Sequence, residues 1–351
     1  MRTINVGLVG FGLAGRAFHA PILTSVEGFA LTKVVERHAA QSKVIYPDVD
    51  VVTDAADLLK DPAIELLVIA APHAAHYDLA RQAIDAGKHV VVEKPFTVTS
   101  REAHDLAKRA EERGVALSVY HNRRFDADFL TIQQLHAAGR FGRIVNYEAR
   151  FDRFRPMVKL DAWREDDAPG TGMLYDLGSH LIDQALVLFG APEYVTGFLA
   201  KEREAAKTVD AFEVALEYAG TRAVLRAGMM ARDHALRYTI NGTNGSFVKC
   251  GLDVQEEKLK QGKFPNDDAN WGVEPEDIWG RFLREEGDSL VSERIASVEG
   301  DYRRYYQEMY QAITERRTPY VSAKDGAAVI KVIELAMQSS REKKSLKYED
   351  N

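Results

Sequence analysis

Cysteine is nearly absent from this chain, since Cys250 is the only one among its 351 residues. A single cysteine excludes an internal disulfide and a cluster of cysteine ligands for a metal, and it is typical of a reducing compartment. No apolar run has the length needed to span a bilayer. The first residues enter a strand-like segment without a signal-type apolar region, so we expect a cytoplasmic protein.

An excess of positive charge is also lacking. The chain has 46 Lys and Arg against 53 Asp and Glu, which gives a formal net charge of -7 at pH 7. This balance provides no electrostatic reason to bind nucleic acid or an anionic membrane. Hydrophobic residues at 46% and charged residues at 28% are typical of a globular protein, and the length predicts two domains.

The sequence does contain a glycine-rich turn between a predicted strand and a predicted helix. The apolar segment Ile4 to Gly10 leads into a G-x-G-x-x-G pattern. The three glycines allow a tight turn, close approach of a pyrophosphate, and packing of the helix on the strand. A purely structural glycine turn is the alternative. We expect the cofactor to be bound here by five residues: Gly10, Phe11, Gly12, Leu13 and Gly15.

The second predicted strand, Ala30 to Val35, ends at an acidic and a basic residue. Glu36 follows the last glycine by about 20 residues, the distance at which a carboxylate accepts hydrogen bonds from the adenosine ribose. This favours NAD. The Arg37 guanidinium can form a bidentate contact with a 2′-phosphate, so NADP is not excluded. A solvated loop is the alternative for both residues.

The run Val90-Val91-Val92-Glu93-Lys94-Pro95-Phe96 has the pattern of a strand buried on both faces that stops at a proline. Lys94 therefore lies at the carboxyl edge of a parallel sheet, where ligands bind. For this heptapeptide alone, the alternative is that Lys94 and Pro95 simply end the strand and have no role in binding. The predicted strand Ile64 to Ala71 ends at the same edge. We expect further cofactor contacts from five residues: Pro72, His76, Glu93, Lys94 and Asn122.

Two domains follow from the order of the predicted elements. Strands and helices alternate up to Tyr120, including a helix Ser100 to Arg113 with Ser100 as N-cap, and predict a Rossmann domain over residues 1–121. Residues 122–351 change to two-residue alternation, as in Phe212, Val214 and Leu216, and predict an α+β domain with an open-faced, mainly antiparallel sheet. Its free face predicts a homo-oligomer. Residues 255–272 are polar and loop-like.

The helix predicted from Leu174 onwards carries three ionisable residues on an otherwise apolar surface. Asp176, His180 and Asp183 are spaced i, i+4 and i+7, which places them within about 60° of arc on a regular helix. A narrow solvated face is the alternative. Such a face more often carries Lys and Glu, which are missing between Leu174 and Gly190.

Hydride chemistry would use these residues together with Lys94. Oxidation of a secondary alcohol needs a base for the hydroxyl proton while the carbon-bound hydrogen leaves as hydride to nicotinamide. His180 is the candidate base and Asp176 the orienting carboxylate, while Lys94 stabilises the charge that develops on the alcohol oxygen or relays its proton. Zinc is a weaker option because no second histidine or cysteine stands at ligand spacing, so we predict no metal.

The fingerprint Gly10-x-Gly12-x-x-Gly15, the triplet Glu93-Lys94-Pro95 and the motif Asp176-x-Gly178-x-His180-x-x-Asp183 together resemble the Gfo/Idh/MocA family of sugar and inositol dehydrogenases over essentially the whole chain. The resemblance implies a Rossmann domain, an open-faced sheet domain used for homodimers or homotetramers, and a cis Lys94-Pro95 peptide. It implies Lys94, Asp176 and His180 as catalytic residues. It also implies five candidates around the sugar: Tyr120, Arg124, Trp163, Arg164 and Asp183.

Two segments, Tyr120 to Arg124 and Tyr175 to Gln184, look most like the NADP-dependent scyllo-inositol dehydrogenase subgroup of that family. The subgroup tends to carry a small residue before the arginine that follows the second strand, whereas this chain has Glu36 before Arg37. A carboxylate there repels a 2′-phosphate, which keeps NAD ahead of NADP.

The expected function is hydride transfer between NAD or NADP and a ring hydroxyl of a cyclic polyol, meaning an inositol such as scyllo-inositol or a pyranose sugar. A keto-sugar or carbonyl reductase that uses the same residues is one alternative. A non-catalytic regulator that senses a dinucleotide and a sugar is the other. We expect a small-molecule substrate and no nucleic-acid or membrane partner.

Overall fold

A computed structural model describes residues 2–37, 40–159 and 165–349. The chain divides into two compact units. The first consists of Met1–Phe125, Val254–Trp271 and Asp301–Ala327, and the second of Asp126–Asp253, Gly272–Gly300 and Ala328–Asn351. The first unit therefore includes two segments that lie far beyond residue 121 in the sequence.

The first unit contains a parallel sheet of six strands. Its strands are β1 Ile4–Val9, β2 Phe29–Val35, β3 Asp50–Val52, β4 Leu66–Ile69, β5 His89–Val92 and β6 Leu117–Val119. They lie in the order β3-β2-β1-β4-β5-β6, and every pair is parallel. All four residues of β4 are buried, as their unbroken apolar pattern predicts. The order reverses between β1 and β4, which confirms the Rossmann-like arrangement.

Seven α-helices lie wholly within the described residues of the first unit. They are α1 Ala20–Thr24, α2 Gln41–Ile45, α3 Ala56–Leu59, α4 His76–Asp85, α5 Ser100–Arg113, and two later helices, Gln255–Lys260 and Arg303–Thr314. The predicted N-cap of α5 is wrong, because the cap is Thr99 and not Ser100. Thr99 has extended backbone and accepts the Glu102 N–H, while the Glu102 carboxylate accepts the Thr99 N–H.

The predicted loop over residues 255–272 is also wrong in part, because it begins with the helix Gln255–Lys260. Gln255 and Trp271 are buried at its two ends. The Trp271 indole N–H donates to Gln255 Oε1 at 3.0 Å, and the Tyr302 backbone N–H donates to the same oxygen at 2.8 Å. A buried amide with its partners inside the unit explains why this polar segment is ordered.

The second unit contains a mixed sheet of nine strands. They are β7 Ile144–Arg150, β8 Tyr194–Ala200, β9 Ala211–Tyr218, β10 Thr221–Gly228, β11 Leu236–Gly242, β12 Ser246–Cys250, β13 Gly280–Glu286, β14 Ser289–Ile295 and β15 Leu346–Lys347. The order is β14-β13-β12-β11-β7-β10-β9-β8-β15, and only the pair β7 and β10 is parallel among the described strands. This confirms the mainly antiparallel sheet. Its helices are α6 Ala127–Ala137, α7 Ser179–Phe189 and most of Ala323–Glu342.

The two faces of this sheet differ in burial. Phe212, Val214 and Leu216 of β9 are buried, as their two-residue alternation predicts. The opposite face carries partly exposed charges, including Glu213 and Arg226, whose side chains form an ion pair of 3.7 Å. One face is therefore apolar core and the other is accessible in the single chain.

Candidate active site

The glycine-rich turn connects β1 to a π-helical turn, Ala14–His19. Gly10 has φ +95°, and a Cβ there would lie 2.6 Å from the Ala70 carbonyl oxygen. A Cβ on Gly15 would lie 2.0 Å from the Gly10 carbonyl oxygen. Gly12 is exposed, and apart from its two chain neighbours no described residue has an atom within 4 Å of its Cβ position. The fold therefore requires Gly10 and Gly15, while Gly12 leaves room beside the turn.

Glu36 lies directly after β2 and is held by the start of α2. Its carboxylate accepts the backbone N–H of Gln41 at 2.9 Å and that of Ser42 at 2.8 Å. The Ser42 hydroxyl also donates to it. Ser42 is buried, Glu36 is half-buried and Arg37 is exposed. The carboxylate is therefore fixed by three donors.

Lys94 begins the turn that follows β5. The Lys94-Pro95 peptide is cis, as the family resemblance implies. Glu93 is buried, and its Oε2 atom accepts the Lys94 backbone N–H at 2.8 Å. Burial by itself raises the pKa of Glu93, but the hydrogen bond with His19 and the charges of His19 and Lys94 outweigh burial, so the pKa lies below its ordinary value. Glu93 is therefore a buried carboxylate.

His76 is buried on the other side of this turn. Its Nδ1 atom lies 2.9 Å from the Pro95 carbonyl oxygen and its Nε2 atom 3.0 Å from that of Ala71. Burial lowers the pKa of His76, and a neutral ring has a single N–H for the two carbonyls. Both ring nitrogens face backbone of the first unit, which gives His76 a part in holding the Lys94 turn.

The predicted cofactor residues separate into two groups by exposure. One group is at least partly accessible: Gly10, Gly12, Leu13, Glu36, Arg37, Pro72, Lys94 and Asn122. The other group is buried: Phe11, Gly15, His76 and Glu93. The buried residues lie in or beside the turns, and the accessible group lies in the segments where a dinucleotide is expected.

Two predicted substrate residues of the first unit have partners inside that unit. Tyr120 is 1% exposed, and its hydroxyl donates to the Phe18 carbonyl oxygen at 2.8 Å. Arg124 is also buried. Its guanidinium donates to the Tyr320 carbonyl oxygen at 3.2 Å and lies 3.5 Å from the Asp325 carboxylate.

The other candidate catalytic residues lie at the start of a helix in the second unit. The helix opens with a π-helical turn, Leu174–Gly178, and continues as α7. The predicted 60° stripe assumed regular helix throughout, so it holds for His180 and Asp183 but not for Asp176, which lies in the wider π turn. His180 is 5% exposed and Asp183 is 2% exposed, which excludes the solvated face considered from the sequence.

Trp163 and Arg164 lie outside the described residues. The next residue, Glu165, is bound by Arg203, whose guanidinium donates to Glu165 Oε2 at 2.7 Å. The same buried guanidinium donates to Asp210 Oδ2 at 2.8 Å. This arginine therefore fixes the chain immediately after the two sugar candidates.

Comparison with known proteins decides the family. Residues 4–121 match the model described as oxidoreductase family, NAD-binding Rossmann fold, and residues 134–348 match the oxidoreductase family C-terminal alpha/beta domain. The chain belongs to the Gfo/Idh/MocA oxidoreductase family.

Similar proteins span the whole of this Gfo/Idh/MocA chain. The scyllo-inositol 2-dehydrogenase (NADP(+)) IolW of Bacillus subtilis is 42% identical over 347 residues, covering 99% of this chain and 96% of the relative. The uncharacterized oxidoreductase YdgJ of Escherichia coli is 42% identical and covers 98% of each chain. The solved structure of the oxidoreductase yvaA from Bacillus subtilis has a TM-score of 0.96 at 42% identity, with 99% of each chain covered. This protein is therefore an oxidoreductase with a nicotinamide-dinucleotide domain.

The helix α7 of this oxidoreductase is held by a polar network that sequence reasoning missed. Gln184, next to Asp183, accepts the Tyr238 hydroxyl at 2.8 Å and the Arg237 guanidinium at 3.3 Å. Arg237 also lies 3.4 Å from the Asp128 carboxylate, and both side chains are buried. The available signal was a glutamine directly after Asp183, followed by an apolar stretch of helix.

The candidate residues are distributed over the two units. The first unit carries the glycine turn, Glu36 and Lys94, and the second carries Asp176 and His180. Within residues 2–37, 40–159 and 165–349 no cluster of three His, Cys, Asp or Glu side chains could hold a metal ion. In the same ranges no helix is long and apolar enough to cross a membrane.

Proposed function

We propose that this protein is a dehydrogenase that moves a hydride between a ring hydroxyl of a cyclic polyol and a nicotinamide cofactor. The observation that carries the proposal is the full-length similarity to a scyllo-inositol 2-dehydrogenase, at 42% identity. Lys94 at the carboxyl end of a buried strand, and His180 and Asp176 at the start of a helix, support it by their chemistry. The substrate class is an inositol such as scyllo-inositol or a related pyranose.

The proposed catalytic roles follow from what each group can do with a proton. His180 takes the proton of the substrate hydroxyl, and the hydrogen on the same carbon leaves with its electron pair. Lys94 stabilises the negative charge that develops on the oxygen, and Asp176 orients the acid–base pair. The bound cofactor supplies the hydride acceptor. A keto-sugar reductase would use the same groups in the reverse direction.

We propose NAD as the preferred cofactor. Glu36 is a carboxylate fixed by Gln41 and Ser42, and a carboxylate accepts about four hydrogen bonds, so capacity for a ribose hydroxyl is left. The fixed negative charge also repels a 2′-phosphate. The competing feature is the exposed Arg37, and the relative IolW carries NADP in its name.

The accessible face of the nine-stranded sheet is our proposed surface for a homodimer or homotetramer. Phe198 of β8 is 61% exposed and Tyr194 is 42% exposed. Light scattering on the purified protein checks the subunit count. The cytoplasmic location stays a prediction from the sequence.

The test is nicotinamide absorbance with purified protein, using scyllo-inositol, myo-inositol and glucose, each with NAD and with NADP. Turnover of an inositol with a higher kcat/KM for NAD supports the proposal. Turnover confined to NADP would show that Arg37 outweighs Glu36. No turnover with any pair, despite tight dinucleotide binding, would contradict the dehydrogenase proposal.

A further inference from the structure

A buried histidine, His19, links the glycine-rich turn to the Lys94 turn within the first unit. His19 ends the π-helical turn that follows the glycine fingerprint, and it is 0% exposed. Its Nε2 atom lies 3.3 Å from Glu93 Oε1. Glu93 Oε2 in turn accepts the Lys94 backbone N–H at 2.8 Å. Two contacts therefore connect the cofactor segment with the backbone of Lys94.

The His19 ring is also held from its other side. Its Nδ1 atom lies 2.7 Å from the hydroxyl of Tyr306, which is fully buried. The Tyr306 hydroxyl and the Glu93 carboxylate therefore lie at the two different nitrogens of the ring. The ring centroid of His19 lies 4.1 Å from that of Tyr120. The ring is thus fixed in position by a hydroxyl, a carboxylate and an aromatic neighbour.

Glu93 needs such a partner because it is a carboxylate in the interior. A buried charge is costly unless it is paired and hydrogen-bonded. Its side-chain neighbour here is His19, whose Nε2 atom lies 3.3 Å from Glu93 Oε1, and the Lys94 N–H is its backbone donor. Without the His19 ring the carboxylate would move toward another partner, and the Lys94 backbone would move with it.

We propose that His19 is a positioning residue for the reaction, because it holds Glu93 and through Glu93 the backbone from which the Lys94 side chain extends. The inference rests on the proposed function where that function gives Lys94 a catalytic role. Sequence reasoning gave His19 no part in the site. Its position in the turn after the glycines ties the cofactor segment and the Lys94 turn together.

Two substitutions separate hydrogen-bond donation from aromatic packing. H19Q keeps an N–H donor for Glu93 but loses the ring, whereas H19F keeps a ring against Tyr120 but has no donor. In H19F we expect kcat to fall by about 100-fold, the scale of a misplacement of about 1 Å at a reacting group, with dinucleotide Kd little changed. H19Q should lose much less. A role in packing alone would reverse this order and overturn the proposal.

His89 provides the matched control. It lies at the amino end of β5, and its Nδ1 atom accepts the Ala116 backbone N–H at 2.9 Å. It is a half-buried histidine with one defined hydrogen bond, on the same strand that leads to Lys94. H89Q and H89F should keep wild-type kcat, and a loss in them equal to that of H19F would overturn the specific role of His19.

Hydrogen exchange gives a readout that does not depend on turnover. In the cofactor-free protein the Lys94 amide should exchange about tenfold faster in H19F than in wild type, because its local opening costs less free energy. H89F should leave this rate unchanged. Unchanged exchange in H19F overturns the inference. Absence of wild-type turnover with every substrate contradicts only the proposed function, since exchange still tests His19.

If H19F does not fold, Y306F takes its place. This variant removes the hydroxyl that fixes His19 Nδ1 and leaves no buried charge without a partner. We expect a smaller increase in exchange at Lys94 and a several-fold lower kcat, with unchanged dinucleotide Kd. Wild-type exchange and kcat in Y306F would overturn the proposal.

Discussion

The two units hold their candidate catalytic residues in different ways. In the first unit Lys94 is held by its neighbour, because Glu93 accepts the Lys94 N–H at 2.8 Å. In the second unit α7 is held through Gln184, whose partners Arg237 and Tyr238 are 53 and 54 residues away in the sequence. A contact between residues that are adjacent in the sequence leaves a recognisable motif. A polar contact between residues far apart in the sequence leaves almost no recognisable pattern.

The largest effect is expected at His180, the proposed base in the second unit. His180→Asn should lower kcat by about 100-fold to 10,000-fold, the usual contribution of a general acid–base group. Dinucleotide Kd should stay near wild type, because the first unit carries the NAD-binding fold. Steady-state kinetics and fluorescence titration measure the two quantities. His104→Asn, at an exposed histidine, is the control. A wild-type kcat in His180→Asn would contradict the assignment of His180 as the base.

In the first unit, two glycines of the glycine-rich turn should respond differently to substitution. Gly12→Ala should fold normally but weaken dinucleotide binding by about tenfold or more, equivalent to about 1.4 kcal/mol, since its Cβ would occupy the open side of the turn. Gly15→Ala should instead destabilise the fold by about 1–3 kcal/mol or more, because its Cβ would meet the Gly10 carbonyl oxygen. Thermal unfolding and titration distinguish them. Equal behaviour of the two variants would contradict this division.

A smaller effect is expected at Ser42. Ser42→Ala removes one hydrogen-bond donor to the Glu36 carboxylate, a contribution of about 1 kcal/mol. The ratio of kcat/KM for NAD to kcat/KM for NADP should therefore fall by about fivefold. Gln41→Ala keeps its backbone N–H donor and should leave the ratio unchanged. Separate kcat/KM values for the two cofactors measure it. An unchanged ratio in Ser42→Ala would show that the backbone donors alone fix Glu36.

The smallest effect is expected at Tyr120. Tyr120→Phe loses the hydrogen bond from the Tyr120 hydroxyl to the Phe18 carbonyl oxygen. We expect a loss of about 1 kcal/mol in the free energy of unfolding and little change in substrate KM. Thermal unfolding and kinetics test this. A large rise in KM with unchanged stability would show that the hydroxyl binds substrate.

The sequence predicts most of the regular elements, because their signals are local. The helix Ser100–Arg113 has the predicted end residues, and the strand Phe29–Val35 ends at the predicted Val35. The two π-helical turns, Ala14–His19 and Leu174–Gly178, were not predicted. One extra residue in a helical turn leaves the apolar pattern almost unchanged, so periodicity cannot reveal it.

At the candidate site, sequence motifs identify the residues but do not show which groups surround each of them. Lys94 and its cis proline are at the predicted position. His76 and Tyr120 belong to the predicted set, yet the structure buries both and gives them backbone partners. His19 was overlooked because its partner Tyr306 is distant in the sequence. Such pairings arise only when the chain has folded, so one sequence does not reveal them.

The most direct test of the account follows the hydride itself. The purified protein is given scyllo-inositol that carries deuterium on its ring carbons, together with NAD, and the reduced cofactor is examined by mass spectrometry. We expect the nicotinamide ring to gain a single deuterium. Lys94→Ala should form this product far more slowly, whereas Lys108→Ala, at an exposed lysine, should form it at the wild-type rate. Reduced cofactor without deuterium, or a Lys94→Ala variant at the wild-type rate, would contradict it.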